Sequence, residues 1–458
     1  MQPKAKLKNY YSIDCLKDRN GRLFVAEIQG SWSAGMKFFR NAYGNPAEAK
    51  VYEDYFKVLS GFANGKTIYY NWFAPTNILA VPSAVTPLLN STHSAQPGIF
   101  EAYQKKAAES AQSSIEEHNR IERFASRKGI NAKFGKSLFR LGKPTSEFFY
   151  CAIVDLVEEQ IKEYALKEGV YVQRGQTSYP SLNMPMINNP AADFSVLNKL
   201  WPTLILREFG KDYYFPEHIF VGMGLSSEEE LRDFLASESR VVVKPTTGSF
   251  GFGLEFKLAS DLAFPKEVHT SPCGLDEKNP ITWAQALDTR AYVPIDFGVD
   301  SKIDLRNYLH IMERSLKKST VSNLQEEVAC IGFPVHESGS ALIQRYVDAE
   351  LIKGKDGQFH KGYIRAFFMG DRFLGAWYRL PVTAQTEDEF LDIRAQRTFF
   401  NPVSDETLDQ VEKFGRDFIE DYESALENLG LKTTQDVVAF RNKKIQKMIQ
   451  GEASAIFG

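Results

Sequence analysis

The Asn20-Gly21 dipeptide constrains this chain most, because asparagine followed by glycine tolerates the positive φ angles of a tight hairpin turn. Its flanks predict two strands between Tyr10 and Phe39, with a glycine- and serine-rich loop from Gly30 to Gly35. With Asn20 and Gly21 as the two turn residues, Asp14 falls directly across from Glu27. Opposed carboxylates with Cβ atoms about 5 Å apart repel. Two readings are open, a solvated edge pair or a pair neutralised by a divalent cation. Phe24, Val25 and Ile28 indicate a largely buried strand, where unneutralised carboxylates are costly. Gln29, two residues beyond Glu27, shares its face and offers a carbonyl oxygen of the kind Mg²⁺ accepts. Asp14, Glu27 and Gln29 are therefore candidate metal ligands. The loop residues Ser31, Ser33, Ala34 and Gly35 could orient an acceptor carboxylate through hydroxyl and backbone donors, or form a tight turn.

A second constellation runs from Val241-Val242-Val243-Lys244-Pro245 through Gly248, Ser249, Phe250 and Gly251 to Gly253. It joins a buried strand to a lysine and a flexible glycine hairpin. Backbone N–H groups of such a loop can surround phosphate oxygens, Ser249 adds a hydroxyl, and Lys244 adds charge. The segment is neither a P-loop nor a dinucleotide fingerprint, and a glycine-rich turn alone is weak evidence. Ala341 to Val347, followed by Asp348 and Glu350, reads as a strand leaving a core toward an acidic end, able to present backbone groups to a base and an acid to a ribose. Arg365 and Arg379 lie on the arms of a hairpin from Tyr363 to Leu380, turning at Gly370-Asp371. Strand parity puts them on opposite faces unless a bulge intervenes.

A net charge of -3 with dispersed lysines gives no general attraction to nucleic acid or anionic lipid, so small-molecule partners are expected. Cys15, Cys151, Cys273 and Cys330 form no C-x-x-C pair and read as core thiols. Without a signal-peptide pattern or a membrane-length apolar run, the expected location is cytoplasmic. Between Gly61 and Pro190, strand-like runs at Ile78 to Val81 and Phe148 to Val154 alternate with helical patterns such as Asp155 to Glu168, as in a small α/β domain. A helix from about Phe100 to Arg127, carrying Glu116, Glu117, Arg120 and Arg123, looks solvated on one side and reads as a helical insertion rather than a binding surface. Further helices are predicted around Lys199, from Ser226-Ser227, at Asp304 to Lys317 and from Ser404 to Leu429.

Taken in order, Asn188-Asn189-Pro190, a helix lysine, the Val-Val-Val-Lys-Pro strand with its glycine loop, a hinge strand and an arginine hairpin resemble the ATP-grasp superfamily. In that superfamily ATP lies between two α+β lobes. The resemblance implies an α+β / α/β chain with a preceding Rossmann-like domain. It makes Lys199 and Lys244 phosphate ligands, Gln344, Tyr346 and Val347 the adenine hinge, and Glu350 a ribose ligand. The usual Asp and Glu-x-Asn magnesium strands are missing after Asn401 and are matched instead by Asp14 and Glu27-Ile28-Gln29, with Gln for Asn. The order thus looks circularly permuted, as in eukaryotic-type glutathione synthetases and some related bacterial ligases, and Asn401 becomes an additional possible oxygen ligand. Four segments follow: 1–60, the permuted metal-binding hairpin; 61–190, the preceding α/β domain; 191–340, the N-terminal lobe; and 341–458, the rest of the C-terminal lobe. The implied activity is Mg²⁺- and ATP-dependent activation of a carboxylate as an acyl phosphate, then amide formation with an amine, with Arg365 or Arg379 at the transferring group. A small-molecule kinase and a non-catalytic nucleotide-binding regulator are the alternatives, and a homodimer is the self-association considered.

Overall fold

The computed structural model describes residues 9–30, 35–73, 113, 115–134, 169–175, 186–196, 199–221, 228–245, 255–261, 268–269, 280–281, 341–390, 398–433, 436–437, 439–440 and 443. The chain begins with β1 (Tyr10–Lys17), β2 (Leu23–Gln29), a 3₁₀ turn at Met36–Phe38, α1 (Phe39–Tyr43), α2 (Asn45–Ala63) and β3 (Thr67–Phe73). Next come α3 (115–127), β4 (Ala132–Phe134), β5 (Gly169–Gly175), β6 (Met186–Ile187) and α4 (Pro190–Ser195). The middle supplies α5 (Leu200–Arg207), β7 (His218–Val221), α6 (Glu228–Ser237), β8 (Arg240–Pro245), β9 (Glu255–Leu258), β10 (Val268–His269) and β11 (Pro280–Ile281). There follow β12 (Ala341–Arg345), β13 (Leu351–Lys353), β14 (Phe359–Lys361), β15 (Tyr363–Met369), β16 (Arg372–Pro381), β17 (Thr398–Asn401) and α7 (Asp405–Asn428).

The fold is mixed α and β with mainly antiparallel sheets, and it divides into two compact units. The first comprises Met1–Leu79, Ala107–Val196 and Val347–Thr434, and the second Ala80–Lys106, Leu197–Tyr346 and Gln435–Gly458. In the first unit an antiparallel sheet has the order β17-β16-β15-β1-β2, so the N-terminal hairpin completes a sheet otherwise built from late strands. A second sheet, β4-β3-β5-β6, is parallel.

The hairpin turn differs from the two-residue expectation. Asp18 N–H bonds to Arg22 C=O at 2.9 Å, leaving Arg19, Asn20 and Gly21 as the turn, with Gly21 at φ 81°. The Asp18 carboxylate accepts from the backbone N–H groups of Asn20 (2.9 Å) and Arg22 (2.8 Å), the local bond that lets aspartate open a turn. Lys17 therefore pairs with Leu23, one register off the expected ladder. A bulge then inserts Ala26, since Cys15 pairs with Val25 but Asp14 with Glu27. The predicted Asp14–Glu27 pairing is present, reached through two offsetting shifts.

One face of this sheet presents Tyr10, Phe367, Met369 and Trp377 to Met36, Phe39, Tyr55 and Phe56, forming an aromatic core. α3 joins that core through Ile121, Phe124 and Ala125, and Glu117 and His118 are buried with them, so Glu117, read with the solvated side of the helix, lies on its buried side. Its charged stretch hides an apolar stripe at helical spacing, and Glu117 lies on the stripe. The other face is covered by α7, whose Val411, Phe418, Tyr422 and Ala425 recur at helical spacing. Gly415 permits the close approach, since a Cβ there would collide with the Phe368 ring. Ser404 caps α7 by accepting from Thr407 N–H at 3.3 Å, a contact of about 1 kcal/mol.

In the second unit, β7-β12-β8-β9 form an antiparallel sheet around Val241, Val243 and Ile343, all essentially buried. The predicted Val-Val-Val strand is β8, and the hinge strand β12 ends at Arg345, before Tyr346 and Val347. The expected elements at 78–81, 148–168 and 304–317, and the serines before α6, lie outside the described residues. No helix among the described residues is long and apolar enough to cross a membrane.

Candidate active site

Opposed residues in a ladder share a face, and alternate residues along a strand do too. Applied to the first unit, these rules set Glu27 on β2, Asp14 on β1 and Arg365 on β15 side by side across three adjacent strands. Arg365 donates two parallel bonds to Asp14, Nε to Oδ1 at 2.6 Å and Nη2 to Oδ2 at 2.7 Å. Asp14 is only 5% exposed, so this is a buried bidentate pair. The cation demanded by two facing carboxylates is thus supplied, at Asp14, by the chain itself. Gln29 extends the polar row: its Nε2 reaches Glu27 Oε2 at 3.4 Å, and its Oε1 accepts from the Ser12 hydroxyl at 3.3 Å.

Burial pushes the Asp14 carboxyl above its ordinary range, with Arg365 pulling the other way. Burial alone would lower Arg365, but the Asp14 carboxylate more than offsets this and holds the guanidinium protonated. Tyr363, raised by burial and then by Asp14, keeps a neutral phenol whose oxygen accepts from Arg379 Nη1 at 2.9 Å.

The two arginines share a face, contrary to strand parity counted from a two-residue turn. The β15–β16 register shifts between Phe367 and Phe368, where Gly375 has φ 128°, and this bulge brings Arg365 opposite Trp377 and Tyr363 opposite Arg379. The guanidinium carbons of Arg365 and Arg379 lie 5.8 and 5.9 Å from the Tyr363 ring centre. Arg379 Nε also donates to Thr398 Oγ1 at 3.1 Å.

Other expected members are placed elsewhere. Asn401 pairs with Tyr378, one residue out of phase with Arg379, and so occupies the face opposite Asp14 and Glu27. Glu350 accepts from the Tyr378 hydroxyl at 3.0 Å and pairs with Lys17 at 3.4 Å. Gly35 N–H donates to Glu117 Oε2 at 2.6 Å, so that donor is already taken within the protein. Ser31, Ser33, Ala34, Gly248, Ser249, Phe250 and Gly251 lie outside the described residues. Sequence reasoning missed Tyr363 and Glu117. Tyr363 alternates with Arg365 along one strand, and the position of Glu117 on the α3 stripe was its signal.

In the second unit, Lys244 is half-buried on β8, in a rung with Leu342 and Phe220. The adjacent rung on the same face holds Val242, Gln344 and His218. Gln344 is 2% exposed, and its Oε1 has no hydrogen-bond partner among the described residues. Tyr346, the last residue of this segment of the unit, is buried beside Arg240, whose guanidinium sits 4.8 Å from its ring centre; Val347, also buried, belongs to the first unit. Lys199, expected within a helix, instead immediately precedes α5 as its cap residue.

His218 is held as the neutral imidazole. Its Nδ1–H donates to Pro216 C=O at 2.8 Å, while its Nε2 accepts from Arg207. Burial, with Arg207 and Lys244 nearby, lowers its pKa to about 4. A folded-state value below the unfolded one near 6.5 gives stability that is present above pH 6.5 and lost as pH falls through 4. Between pH 7.5 and 4, wild type should lose about 2 to 3 kcal/mol more than His218→Gln. Urea titrations at both pH values check this, and equal losses would contradict it.

No protein-family model matches this chain, and no curated protein sequence matches it. Among solved structures, a candidate gamma-glutamylcysteine synthetase from Methylobacillus flagellatus KT aligns with a TM-score of 0.42 and 10% identity, over 92% of this chain and 91% of that one.

Proposed function

We propose that the chain is an ATP-dependent carboxylate-amine ligase of the ATP-grasp type, permuted so that its N-terminal hairpin supplies the metal-binding strands. The observation that carries this reading is the Glu27–Asp14–Arg365 row across three strands, with Gln29 and Arg379 on the same face. Phosphoryl transfer to a carboxylate needs oxygen ligands for a hard cation beside guanidinium groups that meet developing charge. Magnesium is commonly held by one or two carboxylates with phosphate oxygens completing its shell, and Glu27, Asp14 and Gln29 offer such oxygens. When bound, it neutralises phosphate charge and aligns the attacking and leaving oxygens.

The two arginines then divide the work. Arg365 is committed to Asp14, which it neutralises and orients. Arg379, steadied by Tyr363 and Thr398, is assigned to the transferring phosphoryl group. Lys199 and Lys244, with Gly248, Ser249, Phe250 and Gly251, are assigned to the nucleotide phosphates. Gln344, Tyr346 and Val347 are assigned to the base, the Gln344 oxygen, which has no hydrogen-bond partner among the described residues, suiting an amino group. The bonds of Glu350 to Lys17 and Tyr378 favour a structural role over the ribose contact. The acid's oxygen attacks the γ-phosphorus and ADP leaves. The amine then attacks the acyl carbon, phosphate departs, and an amide remains. The Gly30 to Gly35 loop is assigned to the acid.

Incubating the protein with Mg-ATP, hydroxylamine and a panel of amino and dicarboxylic acids tests this. Acid-dependent ADP together with an acyl hydroxamate is expected. A stable phosphoester would indicate a kinase, and nucleotide binding without turnover a regulator; either rejects the ligase.

A further inference from the structure

We infer that Tyr363 is a catalytic residue whose phenol O–H donates a second hydrogen bond to the phosphoryl oxygens that Arg379 meets; this deepens the ligase reading above and rests on it. The bulged β15–β16 register sets Tyr363 directly opposite Arg379, on the face that carries Arg365, Asp14 and Glu27. Gly362 lets the two strands close at this rung, since a Cβ on it would lie 2.6 Å from Arg379 C=O. Both side chains are half-buried, within reach of a ligand.

Arg379 is held at two of its three guanidinium nitrogens, Nε by Thr398 Oγ1 at 3.1 Å and Nη1 by the Tyr363 oxygen at 2.9 Å. A planar fork bonded twice is fixed in orientation, and Nη2 has no partner among the described residues. The Tyr363 oxygen accepts from Nη1, so its own hydrogen points elsewhere, and no described residue accepts it. A cationic and a neutral donor on touching groups suit one tetrahedral oxyanion. Accepting from a guanidinium also polarises the phenol and strengthens its donation. The hydrogen is retained, because burial and the Asp14 carboxylate disfavour the tyrosinate more than Arg379 and Arg365 favour it. No proton is transferred in this role. The bond tightens as charge gathers on the phosphoryl oxygens.

The experiment separates donation from the acceptor role of merely holding Arg379. Wild type is compared with Tyr363→Phe and with chains carrying O-methyltyrosine or 4-aminophenylalanine at this position. O-methyltyrosine keeps the acceptor oxygen without its hydrogen, whereas the aniline keeps N–H donors and accepts poorly. Two readouts are taken: steady-state ADP release with the acid selected by the hydroxamate panel, and the Kd for inorganic phosphate by calorimetry, without nucleotide or acid. In Tyr363→Phe, kcat should fall about a hundred-fold, the loss of one oxyanion donor, while KM for ATP stays within about two-fold. Its Kd for phosphate should rise about ten-fold, as for one hydrogen bond to a charged group. 4-Aminophenylalanine should recover most of both losses, and O-methyltyrosine neither. The reverse order would reduce Tyr363 to a holder of Arg379 and overturn the proposal. So would a phenylalanine variant equal to wild type in both readouts, or a wild type that binds no phosphate. If wild type shows no acid-dependent turnover, the ligase reading fails, while the phosphate series still decides whether the phenol donates to an oxyanion.

Discussion

Arg365→Met should destabilise the protein by about 3 to 5 kcal/mol, the range seen when one partner of a buried ion pair is removed. The loss comes from what remains: Asp14, 5% exposed, would face Glu27 with no cation bonded to either of its oxygens. Asp14→Asn in the same chain removes the stranded charge, so the double variant should be much more stable than Arg365→Met alone. The two substitutions are in contact and should therefore be strongly non-additive. Urea denaturation of the four proteins reads the cycle. A single variant within about 1 kcal/mol of wild type would show that the pair is not buried as described.

Glu27→Ala should separate function from stability in the opposite sense. Glu27 is half-buried and faces Asp14, so its removal relieves a like-charge contact and should change stability little. If its oxygens serve magnesium and nucleotide, acid-dependent ADP release should fall at least about a hundred-fold, because metal stabilisation of phosphoryl charge is worth several kcal/mol. The magnesium concentration giving half-maximal rate should rise as well. A variant with wild-type turnover and magnesium dependence would remove Glu27 from the site.

The central pair was legible from the chain because a face is fixed by parity, and parity survives compensating errors. Asn20-Gly21 marked the turn, yet Asp18, by bonding two backbone N–H groups, made it one residue longer. The bulge at Ala26 restored the count. On the arginine hairpin only one shift occurs, so parity counted from Gly370-Asp371 failed; Gly375 in mid-strand was the sign of it. The buried Asp14–Arg365 pair could not be read locally, because its members lie 351 residues apart in sequence. Glu117 illustrates a different obstacle. Its neighbours Glu116 and Arg120 drew it to the solvated side of the helix, while the stripe it forms with Ile121, Phe124 and Ala125 on the other side is what the core buries.

The ligase claim turns on where one oxygen atom goes. The acid chosen by the hydroxamate panel, labelled with ¹⁸O in its carboxylate, should be turned over with Mg-ATP and an amine, and the released phosphate examined by mass spectrometry. Attack of the carboxylate on the γ-phosphorus predicts one labelled oxygen in each phosphate, with unlabelled ADP. Label in AMP, or phosphate without label, would contradict the acyl-phosphate route.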